Sequence, residues 1–176
     1  TLHIVEASSF QLEQIATFHP WIAVVLNLSP DHLDRHPDFA SYRAAKQRIF
    51  ENQEPEDWAV INADDPAVLA LAESTRATTR LFARTSTVER GKIVDEGWIV
   101  ERRDDGDRRL VPLDAIHLLG AHLITDVLAA ATVGAIAGAP PEAMARAVDG
   151  FHGLEHAMEL VATVGGVRFV NDSKAT

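Results

Sequence analysis

An α/β fold, with a mostly parallel sheet flanked by helices and a small antiparallel β insertion, is predicted by this 176-residue sequence, and three observations carry the prediction. Apolar, β-rich runs alternate with helix-period segments through the first half, as strands joined by crossover helices require. Between Val88 and Leu113 the texture changes to short segments separated by Gly97 and by Asp104-Asp105-Gly106-Asp107, which is turn chemistry for an antiparallel meander. Beyond it a long helical pattern stops at Gly138, and Pro140-Pro141 opens another; glycine just past one helix and proline at the start of the next is the usual punctuation.

Taken in order, strands are expected at Leu2 to Val5, Trp21 to Leu28, Trp58 to Asn62 and Thr79 to Phe82, with helices near Ser9 to Phe18, Asp38 to Asn52 and Pro66 to Ser74. The insertion, placed on the surface, has its short strands at Lys92 to Val94, Trp98 to Arg102 and Arg109 to Pro112. One helix is expected over about His122 to Ala137 and another from Pro141 to near Gly150. Met158 to Val164, Gly165-Gly166 and Val167 to Val170 read as a hairpin.

Composition narrows the function classes. At 47% hydrophobic and 24% charged residues the chain belongs with globular domains that bury a core. The longest apolar stretch, Leu118 to Ala139, is interrupted by His122, Thr125 and Asp126, so no membrane span is expected. Thr1 to Val5 reads as a strand and has no basic n-region, so a signal peptide is not expected. The absence of cysteine excludes disulfides, thiolate metal sites and a cysteine nucleophile. A formal charge of −10 spread along the chain argues against a nucleic-acid surface. An anionic ligand therefore needs a metal or local donors.

Several polar clusters stand at element ends, where ligands of parallel α/β sheets bind. In Glu6-Ala7-Ser8-Ser9-Phe10-Gln11-Leu12 a carboxylate follows an apolar run. By itself that pattern favours a solvated strand end with a serine N-cap, with an oxygen ligand for Mg²⁺ as the functional alternative. Asn27-Leu28-Ser29-Pro30-Asp31-His32-Leu33-Asp34-Arg35-His36 follows the next strand; it is either a helix-start turn or a set of metal ligands. Lys46 lies beside the apolar face formed by Phe39, Tyr42, Ala45, Ile49 and Phe50, either snorkelling over it or activated by partial burial. Asn62-Ala63-Asp64-Asp65-Pro66 reads as a turn with Asp64 as the natural N-cap. Gly120-Ala121-His122-Leu123-Ile124-Thr125-Asp126, Gly153-Leu154-Glu155-His156-Ala157-Met158-Glu159 and Asn171-Asp172-Ser173-Lys174-Ala175-Thr176 complete the set.

Taken together, these segments resemble the Mur ligase superfamily, and its D-glutamate-adding branch in particular. The resemblance covers nearly the whole chain. It implies an ATP-dependent amide ligase of peptidoglycan precursor synthesis: ATP phosphorylates a carboxylate of UDP-N-acetylmuramoyl-L-alanine, and the amine of D-glutamate displaces phosphate from the acyl phosphate. It implies two Mg²⁺ ions, with Glu6, His32 and a carbamylated Lys46 as metal ligands, and a catalytic role for His32, Lys46 and Lys174. His122, Asp126, His156, Asp172 and Asn62 fall on the nucleotide side. A cytoplasmic monomer without nucleic-acid or membrane partners is the accompanying expectation, active only together with the remaining domains.

Three departures temper the resemblance. Leu123 stands where the family has asparagine, Asp126 where asparagine is common, and Ala157 where an arginine neutralises phosphate charge. No Gly-x-x-x-x-Gly-Lys-[Ser/Thr] loop occurs in these residues. Residues 1–164 are accordingly expected to be the central ATP-binding domain without its P-loop segment, and 165–176 the opening of a C-terminal ligase domain. A folylpolyglutamate synthase-like ligase and a non-catalytic module that has lost its phosphate site are the competing readings.

Overall fold

The computed structural model describes residues 1–174, and the chain divides into two compact units, Thr1–Leu81 and the part from Phe82 onward. In the first unit a short helix α1 (Ser9–Leu12) precedes β1 (Ile22–Val25), which pairs in parallel with β2 (Trp58–Asn62), Ile22 opposite Trp58 and Val25 opposite Ile61. The crossover between them is α2 (Phe39–Gln47), started by Asp38, whose carboxylate accepts the Ser41 N–H at 2.7 Å. A 3₁₀ turn, Arg48–Phe50, completes the helical stretch. Helix α3 (Pro66–Leu69) and its 3₁₀ extension Ala70–Ser74 lead to β3 (Thr78–Ala83). Ala23, Val25, Ala59 and Ile61 from the strands meet Tyr42, Phe50, Val68 and Leu71 from the helical layer in the core. Because four of the five residues of β2 are buried, it reads in sequence as an unbroken apolar run, as strands covered on both faces do.

Long-range hydrogen bonds account for where this unit departs from expectation. Leu2 to Val5 is not a strand: Leu2, Ile4 and Val5 are exposed, Ile4 to 99%, and no strand pairs with them among the described residues. An extended apolar segment without a neighbouring ladder has nothing to satisfy its backbone groups except water. The expected helix over Ser9 to Phe18 stops at Leu12. Its would-be continuation is claimed by side chains from beyond α2. The Arg48 guanidinium donates to the Glu13 and Ile15 carbonyls, and the Asn52 amide to those of Ala16 and Phe18. Strand β1 likewise ends at Val25 rather than Leu28. The Asn62 amide donates to the Leu26 carbonyl at 2.7 Å, and an Asp65 oxygen accepts the Leu28 N–H at 2.7 Å.

The second unit starts within β3, whose Phe82 and Ala83 pair in parallel with Lys92 and Ile93 of β4 (Gly91–Asp95). Strands β5 (Trp98–Arg102) and β6 (Arg108–Pro112) follow antiparallel. The β4–β5 turn places Glu96 at φ 43° and Gly97 at φ 79°, the paired left-handed residues of a tight hairpin turn. These three strands lie at the expected positions, but they do not stand apart as a surface flap. Ile93, Ile99, Val100, Leu110 and Val111 are buried, with α4 (His122–Ile136) against β4 and α5 (Pro141–Asp149) against β6. A Cβ on Gly134 would meet the Met144 sulfur at 2.9 Å, so a glycine there lets α4 and α5 close on each other.

Strands β7 (Glu159–Val164) and β8 (Val167–Asn171) form a separate antiparallel hairpin with Leu160, Val161, Val164, Val167 and Phe169 exposed. The other six strands follow the order β1-β2-β3-β4-β5-β6. No helix among the described residues is long and apolar enough to cross a membrane.

Candidate functional site

In the first unit the loop after β1 and the face of α2 build a cluster of rings. His36, 2% exposed, is held from both sides of its ring: Nε2 lies 3.0 Å from the Ser9 hydroxyl and Nδ1 3.4 Å from the Glu13 carboxylate. Phe10 stacks on His36 at 5.4 Å between centroids with 6° between planes, and Tyr42 meets it edge-on, also at 5.4 Å. His32 sits 5.1 Å from Phe10 and 6.4 Å from Tyr42. The Lys46 ammonium lies 5.9 Å from the centre of the same Tyr42 ring. Two of the three residues expected at the metal site thus flank one tyrosine. Burial pushes the Tyr42 hydroxyl above its ordinary pKa and the charge of Asp31 adds to the effect, which keeps the phenol neutral.

His32 adopts φ 54°, a left-handed conformation costly for a side chain of this size. Its N–H donates to its neighbour Asp31 at 2.8 Å, and its carbonyl accepts the N–H groups of Arg35 and His36, both at 2.9 Å. The loop is therefore wound around its own backbone so that the imidazole stays half-exposed at the rim. Glu6 is exposed on the irregular segment that leads into α1. Below it the Ser8 hydroxyl accepts the Gln11 N–H and the Gln11 side chain accepts the Ser8 N–H, a complete capping box.

As chemistry, a Glu6 carboxylate and a carbamate on Lys46 would each be a hard oxygen ligand of the kind Mg²⁺ takes; of the three expected ligands, the contacts around Tyr42 join His32 and Lys46. Among the described residues no three His, Asp or Glu side chains gather as a cage. Magnesium is commonly held by one or two carboxylates together with substrate phosphates and water, without a dedicated cage.

Asn62, expected on the nucleotide side, is buried, with both ends of its amide committed. It donates to Leu26 at 2.7 Å and accepts the Asp64 N–H at 2.9 Å. It is a strut joining the ends of β1 and β2. The N-cap of α3 is Asp65 and not Asp64: one Asp65 oxygen accepts the Ala67 and Val68 N–H groups while the other clamps Leu28. Asp65 thereby anchors the root of the loop that carries His32.

The second unit holds the remaining residues. His122 is the first residue of α4 and Asp126 lies one turn further on. Burial raises the Asp126 carboxyl above the usual range, and His122 opposes the shift. Gly120, at φ 111°, brings the chain so close that a Cβ there would meet the His122 ring at 2.6 Å. His156 and the 171–174 segment are tied together. The His156 N–H donates to Glu159 at 2.9 Å, the Lys174 N–H donates to the His156 carbonyl at 2.9 Å, and the Met158 N–H donates to Asp172 at 3.0 Å. His156, Asp172 and Lys174, singled out in two separate sequence segments, thus occupy one knot. Ala175 and Thr176 of the expected motif lie outside the described residues.

Sequence reasoning missed His36, Asp65 and the Asn171 amide as structural partners of the site. It also missed His117 and His152, whose rings stack at 5.0 Å, with His117 3.0 Å from Asp149. Only adjacency signals the first: His36 ends the same loop that bears His32.

Against known proteins, the family model described as "Mur ligase middle domain" matches residues 1–134. The UDP-N-acetylmuramoylalanine--D-glutamate ligase of Koribacter versatilis is 46% identical over 176 residues, covering 100% of this chain and 39% of the relative. The same-named protein of Acidobacterium capsulatum is 46% identical over 177 residues, covering 98% of this chain and 38% of its own length. This chain thus spans about two fifths of the length of the curated relatives it matches. Among solved structures, MurF from Acinetobacter baumannii superposes with a TM-score of 0.67 at 17% identity, covering 87% of this chain and 34% of that one. A pseudomurein peptide ligase type C from Methanothermus fervidus gives 0.62 at 19% identity, covering 86% and 38%. At such identities these two likenesses speak for the fold alone. With the sheet order, the His32 loop on the rim and a family match over three quarters of its residues, the chain belongs to the Mur ligase middle-domain family.

Proposed function

We propose that this chain is the central, nucleotide-binding part of an ATP-dependent ligase that joins D-glutamate to UDP-N-acetylmuramoyl-L-alanine through an acyl phosphate in peptidoglycan precursor synthesis. The observation that carries the reading is the match of the whole chain, at 46% identity, to proteins bearing that ligase name. The geometry agrees with it, since His32 and Lys46 flank one ring and His156, Asp172 and Lys174 form one knot.

In this reading Glu6, His32 and a carbamylated Lys46 hold two Mg²⁺ ions, which lower the charge repulsion among phosphate and carboxylate oxygens. His122, Asp126, His156 and Asp172 bind and orient the nucleotide, Asn62 serves the nucleotide side by shaping its own turn, and Lys174 faces the substrate side. Residues 165–176 open the following ligase domain, for which the apolar side chains exposed on β7 and β8 provide a packing surface. The protein acts in the cytoplasm, as a monomer.

The test is phosphate release by the intact protein. It should require ATP, Mg²⁺, D-glutamate and UDP-N-acetylmuramoyl-L-alanine together, yield a product heavier by one glutamyl residue, and cease in chelator. Turnover in chelator would remove the metal assignment, and absence of any amide product would remove the ligase reading. Ala157 and Leu123, which replace an arginine and an asparagine of the family pattern, favour a second reading as a scaffold that has lost catalysis. Under the ligase reading, Ala157→Arg raises turnover; an intact protein that binds no ATP–Mg²⁺ in calorimetry would support the scaffold.

A further inference from the structure

His156 is built into the second unit with unusual determinacy for a residue 56% exposed in its side chain. It adopts φ 67°, and its backbone N–H and C=O are both taken, by Glu159 at 2.9 Å and by the Lys174 N–H at 2.9 Å. Its Nδ1 lies 2.8 Å from the Asn171 amide nitrogen. An Asn amide has an ambiguous orientation until a second contact decides it. Here that contact exists: the other end of the Asn171 amide lies 3.1 Å from the Ser173 backbone N–H. Since a backbone N–H only donates, that end must be the oxygen, and the end facing His156 must be the NH₂ group.

We propose that Asn171 is a positioning residue that locks His156 in its neutral Nε2–H tautomer, so that the imidazole presents a hydrogen-bond donor to the nucleotide. An NH₂ group donates and does not accept, so Nδ1 facing it must offer a lone pair, and the ring proton is left on Nε2. The Glu159 carboxylate favours the opposite arrangement, because its charge would attract a proton on Nδ1. It lies 3.6 Å from Nδ1, beyond hydrogen-bond reach, and already accepts the His156 N–H. The donor at Nε2 suits an acceptor-rich ligand, a phosphate or ribose oxygen. A histidine of the other tautomer would set its lone pair against the same oxygens and repel them.

The role towards the nucleotide rests on the function proposed above; the tautomer does not, which lets the two be tested apart. In the intact protein with ¹⁵N-labelled histidine, imidazole NMR should show His156 protonated at Nε2. A coupling through the hydrogen bond should link the Asn171 side-chain nitrogen to Nδ1. Asn171→Asp keeps an oxygen for the Ser173 N–H but turns the donor into an acceptor, and should move the proton to Nδ1. The loss of one donor contact should weaken ATP binding about three- to tenfold in both Asn171→Asp and His156→Ala, the range of a single hydrogen bond. A wild-type ring protonated at Nδ1, or an Asn171→Asp protein whose His156 Nδ1 stays unprotonated, overturns the tautomer lock. The expected tautomers together with unchanged ATP affinity in His156→Ala overturn the nucleotide role instead.

Discussion

Asp65→Ala should destabilise the first unit by about 2–4 kcal/mol, because one carboxylate does two jobs, one of them on a residue 37 positions away in sequence. One oxygen accepts the Ala67 and Val68 N–H groups at 2.8 and 3.2 Å and caps α3; removing an aspartate cap costs about 1 kcal/mol. The other accepts the Leu28 N–H at 2.7 Å. Leu28 is only 6% exposed, so its donor would be left buried without a partner, which costs about 1–3 kcal/mol. Asp65→Asn keeps a single oxygen for two tasks and should cost roughly half as much. Urea unfolding followed by tryptophan fluorescence measures both, since Trp21 precedes β1 and Trp58 opens β2. An alanine variant within about 0.5 kcal/mol of wild type would show that water replaces the clamp and would refute the reasoning. Because Leu28 roots the loop bearing His32, the variant should also disturb that ring, visible in its histidine resonances.

Three further outcomes follow from the same contacts. His36→Ala, which empties a site 2% exposed and strands the Ser9 hydroxyl, should cost about 2–4 kcal/mol in urea unfolding; a change under about 1 would mean the Phe10 stack closes the gap unaided. Asp126 is exposed as a residue but partial desolvation raises its carboxyl, so the folded chain holds that proton more tightly than the unfolded one, by a margin that solvent contact keeps small. Its contribution to stability falls as pH climbs from the ordinary aspartate range through the raised value and does not recover above it. Asp126→Asn should therefore stabilise the protein at neutral pH while leaving acid stability nearly unchanged, and equal gains at both pH values would contradict this. Lys92, 3% exposed in its side chain, pairs with Glu101 at 2.5 Å across β4 and β5. Lys92→Met alone should destabilise by about 1–3 kcal/mol, and adding Glu101→Gln should recover part of the loss; a double variant worse than the single would show that the pair is not the source.

Much of the fold is legible because its signals are local. The Trp58 to Asn62 strand, the Glu96-Gly97 turn, the end of α4 before Gly138 and the start of α5 at Pro141 each depend on a residue and its near neighbours. The segments bearing the site are legible for a related reason: polar residues that follow apolar runs announce themselves without their partners. What the sequence by itself determined is thus the α/β class, the order of its elements and the loops that hold the candidate site.

Tertiary structure alone decided which groups complete one another. Helix α1 stops at Leu12 because Arg48 and Asn52 reach its following carbonyls from 33 to 36 residues away. The strand expected at Leu2 to Val5 is absent because a ladder needs a neighbour, and none of the described residues offers one. Asp65 rather than Asp64 caps α3 because only its carboxylate also meets the Leu28 N–H, which the fold brings close. The tautomer of His156 likewise follows from Asn171 and Ser173, fifteen and seventeen residues on. Propensity and spacing act along the chain, whereas a hydrogen bond needs its partner within about 3 Å in space, and only the folded chain brings such partners together.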